Sequence, residues 1–246
     1  MSEQRTIIVT GGSRGLGTAM CRKLAALGYP VAVNYASNAS AAEAVVREIT
    51  GAGGRAHAVA GDVAQEADVL RLFEAAEAAL GPLGGLVNNA GIVGANSRLA
   101  DLDVVALQRT FAINVIGTVL CAREAVRRLS TARGGQGGVI VNLSSVAARL
   151  GGPGEFVHYA ASKGAVDSFT LGLAREVAAE GIRVNAVAPG LIETEMNPPE
   201  RLARIGPTIP IRRAGQPEEI AEAVAWLLSP AASYVTGTIL TVSGGR

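Results

Sequence analysis

Between residues 7 and 242, short apolar runs bounded by turn residues alternate with helical patterns, and that alternation leaves the chain very few folds to choose from. Residues 7–10, 31–35, 56–60, 86–88, 139–143, 183–187 and 238–242 read as strands. Helical patterns fill the gaps at 16–28, 41–50, 65–80, 104–129, 159–180 and 218–228. In the helix from residue 159, Val166, Phe169, Leu173 and Val177 share one face and Gly181 supplies a C-terminal stop. The connections carry helices and are too long for hairpins, so the strands must run parallel, with helices on both faces. The expectation is an α/β fold with one doubly wound, seven-stranded parallel sheet, in a single domain over residues 1–246. A chain that is 49% apolar, 4% aromatic and carries 31 glycines suits buried strands covered by small-residue helices.

The charges nearly cancel, 22 basic against 21 acidic residues, and no block of either sign appears. Neither nucleic acid nor an anionic membrane surface is an expected partner. The start, Met1-Ser2-Glu3-Gln4-Arg5, is polar and leads directly into a strand. No stretch approaches the roughly 20 continuous apolar residues of a membrane span, so a cytoplasmic chain is expected. Cys21 and Cys121 fall in helical patterns at a spacing that matches no metal motif; both read as reduced packing residues, and no metal is expected. Residues 191–217, with Pro198, Pro199, Pro207 and Pro210, form the one irregular stretch. Its length suits a substrate loop or lid, or else a surface excursion.

Two motifs carry chemistry. The first is Thr10-Gly11-Gly12-Ser13-Arg14-Gly15-Leu16-Gly17, set between the first strand and the first helix. A helix opening there aims backbone N–H groups and partial positive charge at its guest, and a pyrophosphate is the natural one. The spacing G-x-x-x-G-x-G is looser than the common dinucleotide fingerprint, so placement is what gives it weight. At the end of the second strand, where a carboxylate would hold a free ribose 2′-hydroxyl, the chain has Ala36, Ser37 and Asn38. Arg14 can meet a 2′-phosphate by a charge-assisted bond, so NADP(H) is expected over NAD(H).

The second motif is the pair Tyr159 and Lys163, four apart on a helix and therefore one above the other. A half-buried tyrosine beside a solvated lysine is the plain reading of such a pair. The chemical one is that the ammonium, about 4 Å away at an effective dielectric of roughly 20, favours the phenolate by on the order of 4 kcal/mol before desolvation. That would depress the tyrosine by roughly two to three pKa units, towards useful acid-base chemistry at neutral pH.

Seven landmarks in order make the chain resemble the short-chain dehydrogenase/reductase family over nearly its whole length. They are the turn from Thr10 to Gly17, Asp62-Val63, Asn88-Asn89-Ala90-Gly91, Asn114, Ser144-Ser145, Tyr159 to Lys163, and Pro189-Gly190. The resemblance implies a Rossmann-like fold and a nicotinamide-dependent oxidoreductase acting on CH–OH groups. It implies that Ser145 polarises a substrate carbonyl and Tyr159 delivers the proton. Lys163 would hold the nicotinamide ribose and acidify the tyrosine, and Asn114 would anchor a water leading from Lys163 to solvent. The cofactor would be held by Gly11, Ser13, Arg14 and Leu16 of the turn and by Ala36, Ser37 and Asn38. Asp62 and Val63 would meet the adenine, Asn89, Ala90 and Gly91 would back the ribose, and Pro189, Gly190, Ile192 and Thr194 would lie along the nicotinamide end. Of the adjacent serines, register with the family selects Ser145. His158 reads either as an extra acid or base or as a packing or substrate-contact residue.

The resemblance leaves the substrate open. A small ketone or its secondary alcohol leads, with a sugar or polyol dehydrogenase or a ketoacyl carrier-protein reductase as alternatives and a non-enzymatic cofactor sensor as a third class. Arg127, Arg128 and Arg133 could form a basic patch for an acidic carrier, but Glu180 stands where such enzymes are often basic. Ala122, Ala125, Ala165, Leu171, Gly172 and Ala174 exceed what one core face needs, and with the resemblance they imply a homotetramer built on these helices.

Overall fold

The computed structural model describes residues 5–246; the polar start at residues 1–4 lies outside the described residues. Seven strands form one sheet: β1 (Thr6–Val9), β2 (Val31–Tyr35), β3 (Ala56–Ala60), β4 (Leu83–Asn88), β5 (Gly138–Leu143), β6 (Ile182–Pro189) and β7 (Ile239–Val242). Their order is β3-β2-β1-β4-β5-β6-β7, and every pairing is parallel. The chain reverses its winding between β1 and β4, which opens a crevice at the carboxyl ends of those strands.

The helices are α1 (Gly15–Ala26), α2 (Ala39–Gly51), α3 (Glu66–Leu80), α4 (Val104–Phe111), α5 (Thr118–Leu129), α6 (Ala147–Leu150), α7 (Val157–Val177), α8 (Pro199–Ile205) and α9 (Pro217–Leu228). Pleating sorts the strand residues to two sides. Ile7, Val9, Val33, Val141 and Val187 pack with α1, α2 and α9. Ile8, Ala32, Leu86, Ile140 and Val184 pack with α3, α5 and α7. Cys21 and Cys121 are free and buried, and burial pushes the Cys121 thiol up to about 12, so both behave as apolar filling.

Several boundaries differ from those the sequence suggests. β4 begins at Leu83 because Gly84 and Gly85 lie flat against neighbours; a Cβ at residue 85 would sit 2.8 Å from the Val139 carbonyl oxygen. The helical run Val104–Leu129 is interrupted by a π turn over Ala112–Gly117. By length and a mean hydropathy of 1.6 this run could cross a bilayer. Here it turns Cys121, Ala122, Ala125 and Leu129 into the core beneath the sheet. Ala122, Ala125 and Ala174 thus belong to the chain's own core and are not surplus for an interface. Val104, Val105, Ile116, Val119 and Leu171 are the large apolar residues these helices leave exposed. The irregular stretch at 191–217 holds α8, pinned at its base where Ile192 bridges Gly215.

Buried amides run across the centre of the sheet. Asn88 and Asn142 are register partners on β4 and β5, and Asn88 Nδ2 donates to Asn142 Oδ1 at 3.0 Å. Asn142 Nδ2 donates onward to Thr170 Oγ1 of α7 at 2.9 Å, and Asn88 also reaches the Thr118 carbonyl of α5 at 3.2 Å. The Asn142 amide and the Thr170 hydroxyl are thus paired, as burial demands.

Candidate active site

The glycine turn is shaped by backbone that only glycine tolerates and is fastened from both sides. Gly11 and Gly15 have φ of +61° and +50°, and a Cβ at residue 17 would lie 2.1 Å from the Gly11 carbonyl oxygen. From β2, Asn34 Oδ1 accepts from Gly11 N at 3.2 Å, while its Nδ2 donates to the Val59 and Gly61 carbonyls. From β4, Asn89 Nδ2 donates to the Thr10 and Gly11 carbonyls at 2.9 and 3.0 Å, and Thr10 Oγ1 accepts from Asn89 N and Ala90 N. The Asn89 side chain is therefore spent on the turn, which leaves Ala90 and Gly91 as the open part of that stretch. Asn34 escaped the sequence reading; its signal was one amide in the otherwise apolar run Val31-Ala32-Val33.

A dinucleotide fits this cradle. α1 starts with no side-chain cap and no acidic residue in its first turn, so its leading N–H groups and dipole face outward beside Ser13, Arg14 and Leu16. At the end of β2, Ala36, Ser37 and Asn38 are exposed and carry no carboxylate. Asn38 Oδ1 accepts from Ala41 N and Ser40 Oγ, both at 3.0 Å, so its side chain caps α2. Arg14 is exposed and, among the described residues, has no ion-pair partner.

Asp62 and Val63, the expected adenine contacts, are also engaged within the chain. Asp62 accepts from Arg109 Nη2 at 2.8 Å and from Ala64 N at 3.0 Å. Val63 is 5% exposed and packs against Gly117, so its side chain serves the core. At the other end, Pro189 closes β6 and Gly190 N donates to the Val242 carbonyl at 2.9 Å. Ile192 is buried, and its carbonyl accepts from Asn197 Nδ2, whereas Thr194 lies beside the turn, 3.7 Å from where a Cβ on residue 15 would be.

Ser145, Tyr159, Lys163 and Asn114 converge at the carboxyl edge of β5. Lys163, 5% exposed, donates from Nζ to the Leu143 carbonyl at 2.6 Å. A Cβ at residue 91 would lie 3.3 Å from Asn114 Oδ1 and 3.5 Å from Lys163 Nζ, so Gly91 keeps both groups on one small space. The π turn brings Asn114 there. Its Nδ2 donates to the Ile92 carbonyl and to Ser162 Oγ, and its Oδ1 accepts from Ile92 N at 2.9 Å. The side chain thus clamps the loop after β4 to α7, with both donors already used.

Electrostatics here run against the sequence expectation. The Tyr159 hydroxyl is raised above the ordinary phenol range by desolvation, and the neighbouring Ser145 hydroxyl pulls it partly back. The Lys163 ammonium sits 5.8 Å from the ring centre and is tethered to the Leu143 carbonyl. Burial lowers Lys163 itself to about 8, against a smaller opposing pull from Asp167. His158 is 4% exposed, with Nε2 paired to the Val93 carbonyl at 3.0 Å, which fits the packing alternative rather than acid-base work.

Comparison with known proteins gives the family. Residues 11–246 match the family described as enoyl-(acyl carrier protein) reductase. An uncharacterized oxidoreductase of Escherichia coli is 51% identical over 243 residues, 97% of this chain and 98% of that protein. A solved short-chain dehydrogenase/reductase from Serratia marcescens superposes with a TM-score of 0.92 at 37% identity, over 100% of this chain and 99% of that one. The chain belongs to the short-chain dehydrogenase/reductase family. Like other members of that family, it is an oxidoreductase acting on CH–OH groups. A further solved structure, a blue fluorescent protein from a metagenomic library in complex with NADPH, has a TM-score of 0.89 at 38% identity and covers 98% and 97% of the two chains.

Proposed function

We propose that this enzyme reduces a small ketone to a secondary alcohol with NADPH, or runs the reverse reaction, with Tyr159 as proton donor. What carries the reading is the convergence of Ser145, Tyr159, Lys163 and Asn114 beside the glycine cradle. When bound, the reduced nicotinamide supplies the hydride. Ser145 donates a hydrogen bond to the ketone oxygen, and Tyr159 gives its proton to that same oxygen as the carbon is reduced. A tyrosine raised by burial keeps its proton at neutral pH, which suits the reductive direction. Lys163 and Asn114 hold the far side of the pocket through the Leu143 and Ile92 backbone, and the residues 191–217 form its substrate loop.

Several observations favour the finer points. Exposed Arg14 and the lack of a carboxylate at residues 36–38 support NADP(H) over NAD(H). Arg127 and Arg128 are paired with Glu124 at 2.6 and 2.5 Å, and Arg128 also with Glu77, which argues against a basic landing site for an acidic carrier protein. Exposed Val104, Val105, Ile116, Val119 and Leu171 support a cytoplasmic homotetramer joined through the two long helices.

The test is a panel of small ketones with NADPH, followed by loss of reduced-nicotinamide absorbance. Tyr159→Phe keeps the ring and deletes the hydroxyl, and kcat is expected to fall by about 10²–10⁴. A variant that turns over like the parent would overturn the assignment.

A further inference from the structure

Three segments meet beside Tyr159: the loop after β4, the stretch between α6 and α7, and α8. Glu155, in the second of these, is joined to the other two. Its backbone carbonyl accepts from Ser97 N at 2.9 Å, and its carboxylate pairs with Arg201 Nη1 at 2.5 Å and Arg204 Nη2 at 3.5 Å on α8. The Arg201 guanidinium carbon also lies 5.1 Å from the centre of the Phe156 ring. That ring stands edge-on to Tyr159, with centroids 5.9 Å apart and planes at 84°. Gly152 makes room for it, since a Cβ there would lie 2.5 Å from Phe156 Cδ2.

The segment bearing α8 has a small core of its own, and at its far side Ile211 N donates to the Gly244 carbonyl at 3.3 Å. Leu191, Ile209 and Ala214, with Leu202 and Ile205 packed against them, form a small core made only of its own residues, separate from the two large cores of the sheet. Its base is fixed by Glu193 N donating to the Gly215 carbonyl and Gly215 N to the Leu191 carbonyl, both at 2.9 Å. Among the described residues, the ion pairs that hold α8 all go to Glu155. Arg201 and Glu155 are only 20% and 32% exposed, so the pair is better shielded than a surface one.

We infer that Glu155 and Arg201 are positioning residues forming a clasp, which shuts the 191–217 segment and presses Phe156 against Tyr159, so that closure and alignment of the proton-donating ring are one event. The assignment of Tyr159 as donor rests on the function proposed above, whereas the clasp stands on its own contacts. A bound substrate would then be enclosed and aligned together, and each release would require the clasp to open.

Hydrogen exchange on the full chain without ligand tests the clasp. Glu155→Gln and Arg201→Met should each speed exchange in residues 199–205 by about three- to tenfold, with unchanged thermal midpoints. The charge-reversed double variant, Glu155→Arg with Arg201→Glu, should restore protection. Coupling to the donor ring is read by 13C-labelled tyrosine resonances. The chain has four tyrosines, and Tyr159 is assigned by its loss in Tyr159→Phe. Phe156→Leu should shift the Tyr159 resonance by removing the ring current, and both clasp variants should shift it in the same sense. Unchanged exchange in α8, or a Tyr159 resonance that stays put while α8 loosens, would overturn the inference. Should the parent chain consume no NADPH with any ketone, the functional reading falls, yet exchange and resonance still decide the clasp.

Discussion

Lys163→Met isolates the energetic cost of burying a charge at the heart of the site. The lysine is lowered from 10.5 to about 8 by burial, a difference worth about 3 kcal/mol at 1.36 kcal/mol per unit. Below pH 8 the ammonium is charged in both folded and unfolded chains, so the fold carries the whole penalty. Between pH 8 and 10.5 the folded chain has lost this proton while the unfolded chain keeps it, so stability rises with pH. Above 10.5 the penalty is gone. The parent should therefore gain about 2 kcal/mol relative to Lys163→Met between pH 7 and 9.5, as read by urea unfolding of both proteins. Comparing the two cancels the other titrating groups. A direct check is available because Lys23 and Lys163 are the chain's two lysines. With 13C at lysine Cε, Lys163 should titrate near 8. A Lys163 midpoint near 10.5, or parallel stability curves for parent and variant, would refute the reasoning.

Ala36→Asp places a carboxylate beside the exposed end of β2 and should move the kcat/KM ratio towards NAD by about tenfold or more; rates measured with both cofactors check it. Gly17→Ala puts a methyl 2.1 Å from the Gly11 carbonyl oxygen, which should cost about 1–3 kcal/mol or more in urea unfolding and weaken NADPH binding along with it.

The succession of strands and helices was legible because short continuous apolar runs, bounded by turn residues, stand apart from the longer helical patterns between them. The chemical landmarks were legible too, since a glycine turn at a strand end and a Tyr–Lys pair need no tertiary context to be noticed. What was not legible depends on that context. Ala112-Ile113-Asn114-Val115-Ile116-Gly117 has an ordinary helical pattern, and nothing local marks the π turn that carries Asn114 inward. The sign of the Tyr159 shift differs from expectation because spacing on a helix gives proximity but not burial, and desolvation is the largest cause of the shift. That the Asn89 Nδ2 donors would go to the Thr10 and Gly11 carbonyls depends on the fold bringing the glycine turn beside β4. The Glu155–Arg201 contact joins residues 46 apart across a proline-rich stretch, a separation at which sequence pattern is silent.

The paired amides of Asn88 and Asn142 act as a vernier for the two central strands. Sliding β5 by one residue along β4 would swing Asn142 to the opposite side of the sheet. Asn88 would then keep only the Thr118 carbonyl and Thr170 only the Val166 carbonyl, and each hydrogen bond lost would cost about 0.5–1.5 kcal/mol. An aliphatic pair in the same place would tolerate that slip with little loss. Since Asn89 begins where β4 ends and Ser144 where β5 ends, the alignment of these two strands also sets how far the cradle stands from the serine. Two interior amides thereby calibrate a distance on which hydride and proton delivery both depend.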